Sequence, residues 1–362
     1  MLHAINRELI RLLGQKITSK PNPEQETDLN HLLAENGVPE FVWNSLNLNC
    51  TAARTNLTPP LLDEPRQVTI IGGCGKMGSF FANSVTQYGH YVNSLSRKNW
   101  SDAPQLLGQA DLVLIAVPIE DTVTVIEKAS QYLNASTVLA DLTSIKTPIV
   151  KAMLEHHSGP VLGLHPMFGP GVGSLMAQNV IVCPGRNLEA CQWLLYLMEN
   201  SGAKLSICTS EEHDRMMANI QAIRHFMTFS LGVFLAQEGI DLAQTLNFAS
   251  PLYRLQLDLV SRLFAQDCGL SFKLMLASPE HQAAIARLEK TIAHLASAIA
   301  TKDQTTLEQA FEQSNSFFKA DANRALCESN YLIDSLSIFL AAQEKIMTKS
   351  PMIQELSVAK LI

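Results

Sequence analysis

Positive charge is in short supply in this sequence: 27 lysines and arginines stand against 34 aspartates and glutamates, a formal net charge of −7. A chain with that balance has no surplus of cations to lay along a nucleic-acid backbone, so no nucleic-acid partner is expected. Long apolar runs are also missing. The longest, such as Leu112 to Ile119, fall far short of the ~20 residues that a membrane-spanning helix needs. The stretch from Met1 to Lys16 sets Arg7, Glu8 and Arg11 among its apolar positions and lacks the hydrophobic core of a signal peptide. These absences lead to the expectation of a cytoplasmic protein with no membrane partner. Among seven cysteines there is no Cys-x-x-Cys pair, and no His-Glu-x-x-His occurs, so no metal site is expected. Most of the cysteines sit in apolar runs and read as small buried hydrophobes. His156 and His157 are adjacent, and a solvated helix end accounts for them.

What the chain does have is 362 residues with 47% hydrophobic content, enough for two domains and an extension. Its organising stretch runs from Val68 to Gly78, an apolar strand leading into Gly73-x-Gly75-x-x-Gly78. Gly73 would permit the tight turn, Gly75 would let a phosphate approach bare backbone, and Gly78 would let the next helix, Ser79 to Tyr88, pack closely. Lys76 and Met77 lie inside the loop, and the helix start would aim N–H groups at a pyrophosphate.

Before the loop, Ile5, Leu9, Ile10, Leu12, Leu13 and Ile17 repeat at helical spacing. Pro21-Asn22-Pro23 stops that helix, a second fits Glu24 to Glu35, and Asn47 to Pro65 reads as a linker. After it, seven apolar runs alternate with helical segments: 68–71, 91–95, 112–117, 137–141, 161–164, 180–183 and 204–208. That alternation predicts a parallel sheet covered on both faces. Beyond Cys208 the strand signals end. Ser210 followed by acidic residues, Ser250-Pro251 and Ser278-Pro279 each read as helix starts. Met216, Ile220, Ile223, Met227 and Phe234 form an apolar stripe; this mainly helical part has more apolar face than one helix layer hides, which predicts a homodimer, the alternative being that these faces bury one another within the subunit. The expected fold is an α/β Rossmann-type nucleotide-binding domain followed by an all-α dimerisation domain, with a short helical N-terminal extension. The boundaries are 1–65, 66–208, 209–345 and a tail at 346–362.

In an open parallel sheet the ligands bind off the carboxyl ends of the strands. After the second strand stands Ser96-Arg97-Lys98 where a carboxylate would mark NAD. A hydroxyl and two cations suit a 2′-phosphate, so NADP is favoured, with NAD as the alternative. Val117 and Pro118 end the third strand at the same edge. His165, at the end of the fifth strand and followed by Pro166, is placed to act as a general base. Arg254 and Arg262, with Asp258 midway on one helix, form either a solvated i,i+4 ladder or a clamp for substrate carboxylates. Arg224-His225 sits in an otherwise apolar helix and needs a reason to be there.

The glycine loop combines with Asp141-x-x-Ser144-x-Lys146, Gly163-Leu164-His165-Pro166-Met167-Phe168-Gly169-Pro170 and Glu212-His213-Asp214. To these are added Gln221-Ala222-x-Arg224-His225-Phe226 and the stretch from Ser250-Pro251-x-Tyr253-Arg254 to Arg262-Leu263-Phe264-Ala265-Gln266-Asp267. From about residue 67 to about 339 the chain resembles the prephenate dehydrogenase family, most of all the dehydrogenase part of the bifunctional chorismate mutase/prephenate dehydrogenases. The resemblance implies oxidative decarboxylation of prephenate to 4-hydroxyphenylpyruvate in tyrosine biosynthesis. It makes His165 the residue that takes the ring hydroxyl's proton, with Ser144 positioning that hydroxyl and Lys146 at the site's edge. Arg262 would pair with a substrate carboxylate, Arg254 and His225 would support the pocket, and His213 would lie nearby. Two departures stand out. Ser96 replaces the usual acidic residue, and the N-terminal part is shorter than a mutase domain, so mutase activity is not expected. Alternatives are arogenate dehydrogenase and a non-catalytic nucleotide-binding regulator.

Overall fold

A computed structural model of the chain describes residues 2–19, 29–54, 64–266 and 268–348. The expected Pro21-Asn22-Pro23 break and the start of the helix from Glu24 lie outside them, as does nearly all of the 346–362 tail. The chain divides into two compact units, one up to Asp214 and one from Arg215.

The first unit opens with α1 (Leu2–Thr18), α2 (Leu29–Glu35) and α3 (Glu40–Arg54). The Asn47–Pro65 linker reading fails over residues 47–54, which belong to α3. Its asparagines mask a helical face: Trp43, Leu46 and Cys50 are shielded on one side, and Lys16 Nζ lies 4.3 Å from the Trp43 ring centroid. At its end, Arg54 Nε and Nη2 donate to the carbonyls of Ile17 (3.1 Å) and Lys16 (2.6 Å), closing the C-terminus of α1.

The nucleotide-binding part follows as β1 (Gln67–Ile71), α4 (Lys76–Gln87), β2 (Tyr91–Leu95), α5 (Ala103–Gly108), β3 (Leu112–Ile115), α6 (Ile119–Ser130), β4 (Val138–Asp141), α7 (Thr147–His156), β5 (Val161–Pro166), β6 (Asn179–Arg186), α8 (Gln192–Asn200) and β7 (Lys204–Ile207). All seven expected strands form one sheet in the order β2-β1-β3-β4-β5-β6-β7. It is not wholly parallel, because β6 runs antiparallel to β5. A parallel return needs a long crossover, usually a helix, and residues 167–178 between these strands contain none. The central strands are buried along nearly their whole length and mostly apolar because both faces are covered. Val68, Leu114, Ala140 and Leu164 pack under α4 and α8, while Val113, Leu139 and Val161 pack under α5, α6 and α7.

Of the cysteines, Cys50, Cys183 and Cys191 are buried, whereas Cys74, Cys268 and Cys327 are exposed, so the expectation of buried thiols holds for fewer than half. His156 is the solvated member of its pair. His157 is buried, with Nε2 2.7 Å from the Thr137 carbonyl.

After β7 comes α9 (Ser210–Met217). Its cap is Thr209 rather than Ser210: Thr209 Oγ1 accepts from the Glu212 N–H (3.1 Å), and Glu212 Oε2 accepts from the Thr209 N–H (3.0 Å). The second unit continues through a π turn at Ala218–Ala222 into α10 (Ile223–Gln237), α11 (Leu242–Phe248), α12 (Pro251–Phe264), α13 (Cys268–Met275), α14 (Pro279–Ala300), α15 (Gln304–Phe318) and α16 (Ala322–Thr348). Ser250 and Ser278 cap α12 and α14 as expected, each accepting a backbone N–H at 3.3 Å. Among the described residues no helix is long and apolar enough to cross a membrane.

Candidate active site

β1 lies between β2 and β3 in the sheet, so the chain leaves it in both directions and a crevice opens at its carboxyl end. The turn there depends on Gly72, whose φ of +88° is a left-handed conformation that suits glycine, and where a Cβ would also strike the Ala116 carbonyl. Gly73, read from sequence as the turn residue, instead lets β2 approach, since a Cβ on it would strike Ser94 Oγ. Gly78 has its expected role: a Cβ there would run into the Gly72 carbonyl, so α4 lies directly on the loop. Gly75 is exposed, caps α4 in an extended conformation and places no side chain before the N–H groups of Lys76, Met77 and Gly78. Those first-turn donors have no acceptor within the helix, and a dinucleotide pyrophosphate fits them in geometry and in dipole.

At the tip of β2, Ser96 Oγ donates to Asn99 Oδ1 (2.8 Å) and accepts the Lys98 N–H (3.3 Å), fixing a short 3-10 turn. Arg97 and Lys98 are exposed on that turn. Val117 follows β3 with Cγ1 3.2 Å from where a Cβ of Gly72 would lie, and Pro118 caps α6. The structure thus gathers the expected cofactor residues at the carboxyl ends of β1, β2 and β3.

His165, 2% exposed, stands near the end of β5 with Nδ1 2.7 Å from Nε2 of His213. His213 Nδ1 is 2.7 Å from Asp214 Oδ1. Asp214 also accepts the backbone N–H groups of Lys146 and Thr147, both at 2.9 Å, at the first turn of α7. Burial alone would raise the Asp214 carboxyl, but hydrogen bonds from His213, Thr147 and Lys146 overcome it and hold the pKa at about 2. His165 goes the other way from the ordinary imidazole value. Burial, the Lys146 charge and then His213 push it well down, against a smaller pull from Asp214. A neutral imidazole is therefore presented at the sheet edge, as a base requires. Ser144 lies half-buried on the loop after β4, at the edge that holds His165.

Lys146 does not stand at the edge of the site. Its side chain is fully buried beneath Gly163, and its ammonium donates to Asp141 Oδ2 (2.5 Å) and to the Leu164 carbonyl (2.7 Å). Only a glycine leaves room above it: a Cβ at 163 would lie 3.2 Å from Lys146 Cδ and closer still to Val150. Burial lowers the Lys146 pKa while Asp141 opposes that shift. The lysine is a structural cation that pins the carbonyl preceding His165. Asp141 and Asp214 are the buried or half-buried carboxylates beside these residues that sequence reasoning passed over. Each stood inside a motif, and the available signal was a carboxylate beside a lysine or histidine in an apolar setting.

In the second unit, Arg224 Nη2 donates to His225 Nε2 (2.7 Å), and His225 Nδ1 lies 3.1 Å from Ser271 Oγ on α13. Burial, and then the Arg224 charge, bring the His225 pKa down to about 4. On α12, Arg254 is half-buried with its Nε unpartnered, and Arg262 is exposed. Asp258 joins neither arginine among the ion pairs of the described residues, so the solvated ladder does not form.

Comparison with known proteins agrees with this geometry. Residues 96–207 match the family model for the nucleotide-binding domain of prephenate dehydrogenase, and residues 209–313 match that for its dimerization domain. The T-protein of Enterobacter agglomerans is 41% identical over 275 residues, covering 76% of this chain and 74% of that one. The T-protein of Haemophilus influenzae is 39% identical over 267 residues, covering 74% and 71%. The crystal structure of prephenate dehydrogenase from Aquifex aeolicus, in complex with hydroxyphenyl propionate and NAD+, has a TM-score of 0.59 at 18% identity, covering 71% of this chain and 98% of that one. The chain belongs to the prephenate dehydrogenase family.

Proposed function

We propose that His165 is the general base of the prephenate dehydrogenase reaction this chain carries out, and that NADP is favoured over NAD as oxidant. The observation that carries the reading is a buried, neutral imidazole fixed at the carboxyl edge of the sheet that also bears the glycine cradle. The nicotinamide, when bound, accepts the hydride from the carbinol carbon. His165 takes the hydroxyl proton as that carbon becomes a carbonyl. When the ring carboxylate leaves as CO2, its bonding electrons aromatise the ring and the oxygen recovers a proton, so no net proton is consumed. Ser144 orients the hydroxyl. Arg262 and Arg254 hold substrate carboxylates, a role that would give the unpartnered Arg254 Nε an acceptor. His225, kept neutral by burial and by Arg224, supports the pocket without adding charge.

Ser96, Arg97 and Lys98 favour NADP because two exposed cations and a hydroxyl can bind a 2′-phosphate. The N-terminal helices bury only Leu33 and Cys50 among the described residues. With no enclosed site among these described residues, the reading is that chorismate is not converted to prephenate; chorismate loss with purified protein would contradict this. The test of substrate and cofactor together is turnover of prephenate and of arogenate with each of NADP and NAD. The prephenate and NADP pair is expected to have the highest kcat/KM. Preference for NAD would remove the role given to Ser96-Arg97-Lys98, and preference for arogenate would overturn the substrate.

A further inference from the structure

We propose that Asp214 is a positioning residue that sets, through His213, which ring nitrogen of His165 carries the proton. This rests on the reading of His165 as the base. Asp214 is ionised across the neutral range, held there by three hydrogen bonds, and an ionised carboxylate only accepts. The proton it shares with His213 therefore sits on His213 Nδ1, at 2.7 Å. With that one proton on Nδ1, His213 Nε2 is the acceptor, and its partner at 2.7 Å, His165 Nδ1, is the donor. That leaves the lone pair of His165 on Nε2, the nitrogen that can take a proton from a hydroxyl.

The relay is built into the fold from one end to the other. Its far end is pinned by two backbone N–H groups at the start of α7. Its middle member has no exposed surface, and its near end is 2% exposed. Nothing in it needs to rotate for the base to work. When His165 takes a proton on Nε2 it becomes an imidazolium, and its Nδ1–H hydrogen bond through His213 to the Asp214 carboxylate stabilises that charge. The bond to the substrate oxygen breaks, the N–H bond forms, and the same proton can return to the oxygen as the ring becomes aromatic.

Replacement of Asp214 by Asn keeps the size and reverses the polarity. With the Asn oxygen on the Thr147 N–H, its amide takes the Oδ1 position, gives up the Lys146 N–H and donates to His213 Nδ1. His213 then donates from Nε2 to His165 Nδ1, and the His165 proton moves to Nε2. An amide in place of a tautomer-setting carboxylate lowers kcat by ~10⁴-fold in a serine-protease triad, and a loss of ~10²- to 10⁴-fold is expected here. The experiment is ¹⁵N NMR of the histidine-labelled full chain, assigned with His165→Asn and His213→Asn, alongside kcat and cofactor binding for D214N. The expected result is Nδ1–H on both rings in the parent, Nε2–H on both in D214N, and unchanged cofactor affinity. A parental His165 with its proton on Nε2, or D214N with parental kcat, overturns the proposal. So does a D214N variant that loses rate while both tautomers stay put, since that is loss of the α7 contact alone. If D214N does not fold, the parental spectrum decides by itself. A normal rate for His165→Asn would instead remove the base reading, so the two failures are distinct.

Discussion

A lysine with no exposed surface must be matched by charge and hydrogen bonds, because taking an ammonium out of water costs several kcal/mol. Lys146 meets both requirements, with Asp141 at 2.5 Å and the Leu164 carbonyl at 2.7 Å. Lys146→Met strands the Asp141 carboxylate and is expected to destabilise the fold by about 3–5 kcal/mol, much of it restored by adding Asp141→Leu. Thermal melting of the two variants checks this, and a single variant as stable as the parent would show that the pair contributes nothing. The Lys146 charge also holds the His165 pKa down, so its loss should move the acid limb of the kcat profile to higher pH. The place of His165 was legible in the sequence because it directly follows the apolar run 161–164 of the fifth strand. Lys146 was misplaced because its motif gives the residue type without the depth. The path of a long side chain beneath Gly163 is a property of the packed sheet.

Among the elements, those with strong periodicity were the most legible. Seven strands and the proline-led starts of α12 and α14 lie where the patterns put them. The direction of β6 was not readable from its own residues, because an apolar strand looks the same either way round; the short, helix-free connection before it is what decides. From the end of α9 through the π turn into α10 the expected apolar stripe is present but faces outward. Met216, Ile220, Met227 and Phe234 are all at least 43% exposed, while Met217, Ala218, Ala222 and His225 fill the interior. With Leu259 of α12 and Ile292 of α14, Met227 and Phe234 line a hollow of about 620 Å³. A homodimer covering these faces is the proposal that their exposure supports. Phe234→Asp places a charge there without disturbing the unit's own core. It should lower the mass seen in sedimentation to that of one chain with little change in helix content; an unchanged mass would put the dimer contact elsewhere.

For the whole molecule, the first unit carries the glycine cradle and the His165-His213-Asp214 relay, and the second carries Arg224, His225, Arg254 and Arg262. Family membership rests on both units, since each matches its own domain model. The substrate was never legible from composition or spacing, which specify a dinucleotide and an anion but not a cyclohexadienol. The most direct measurement is formation of reduced cofactor from prephenate by the parent and by His165→Asn, with cofactor binding measured on both. The expected kcat is lower by roughly 10²- to 10⁴-fold in the variant, with cofactor affinity unchanged. A variant that turns over prephenate at the parental rate would contradict it.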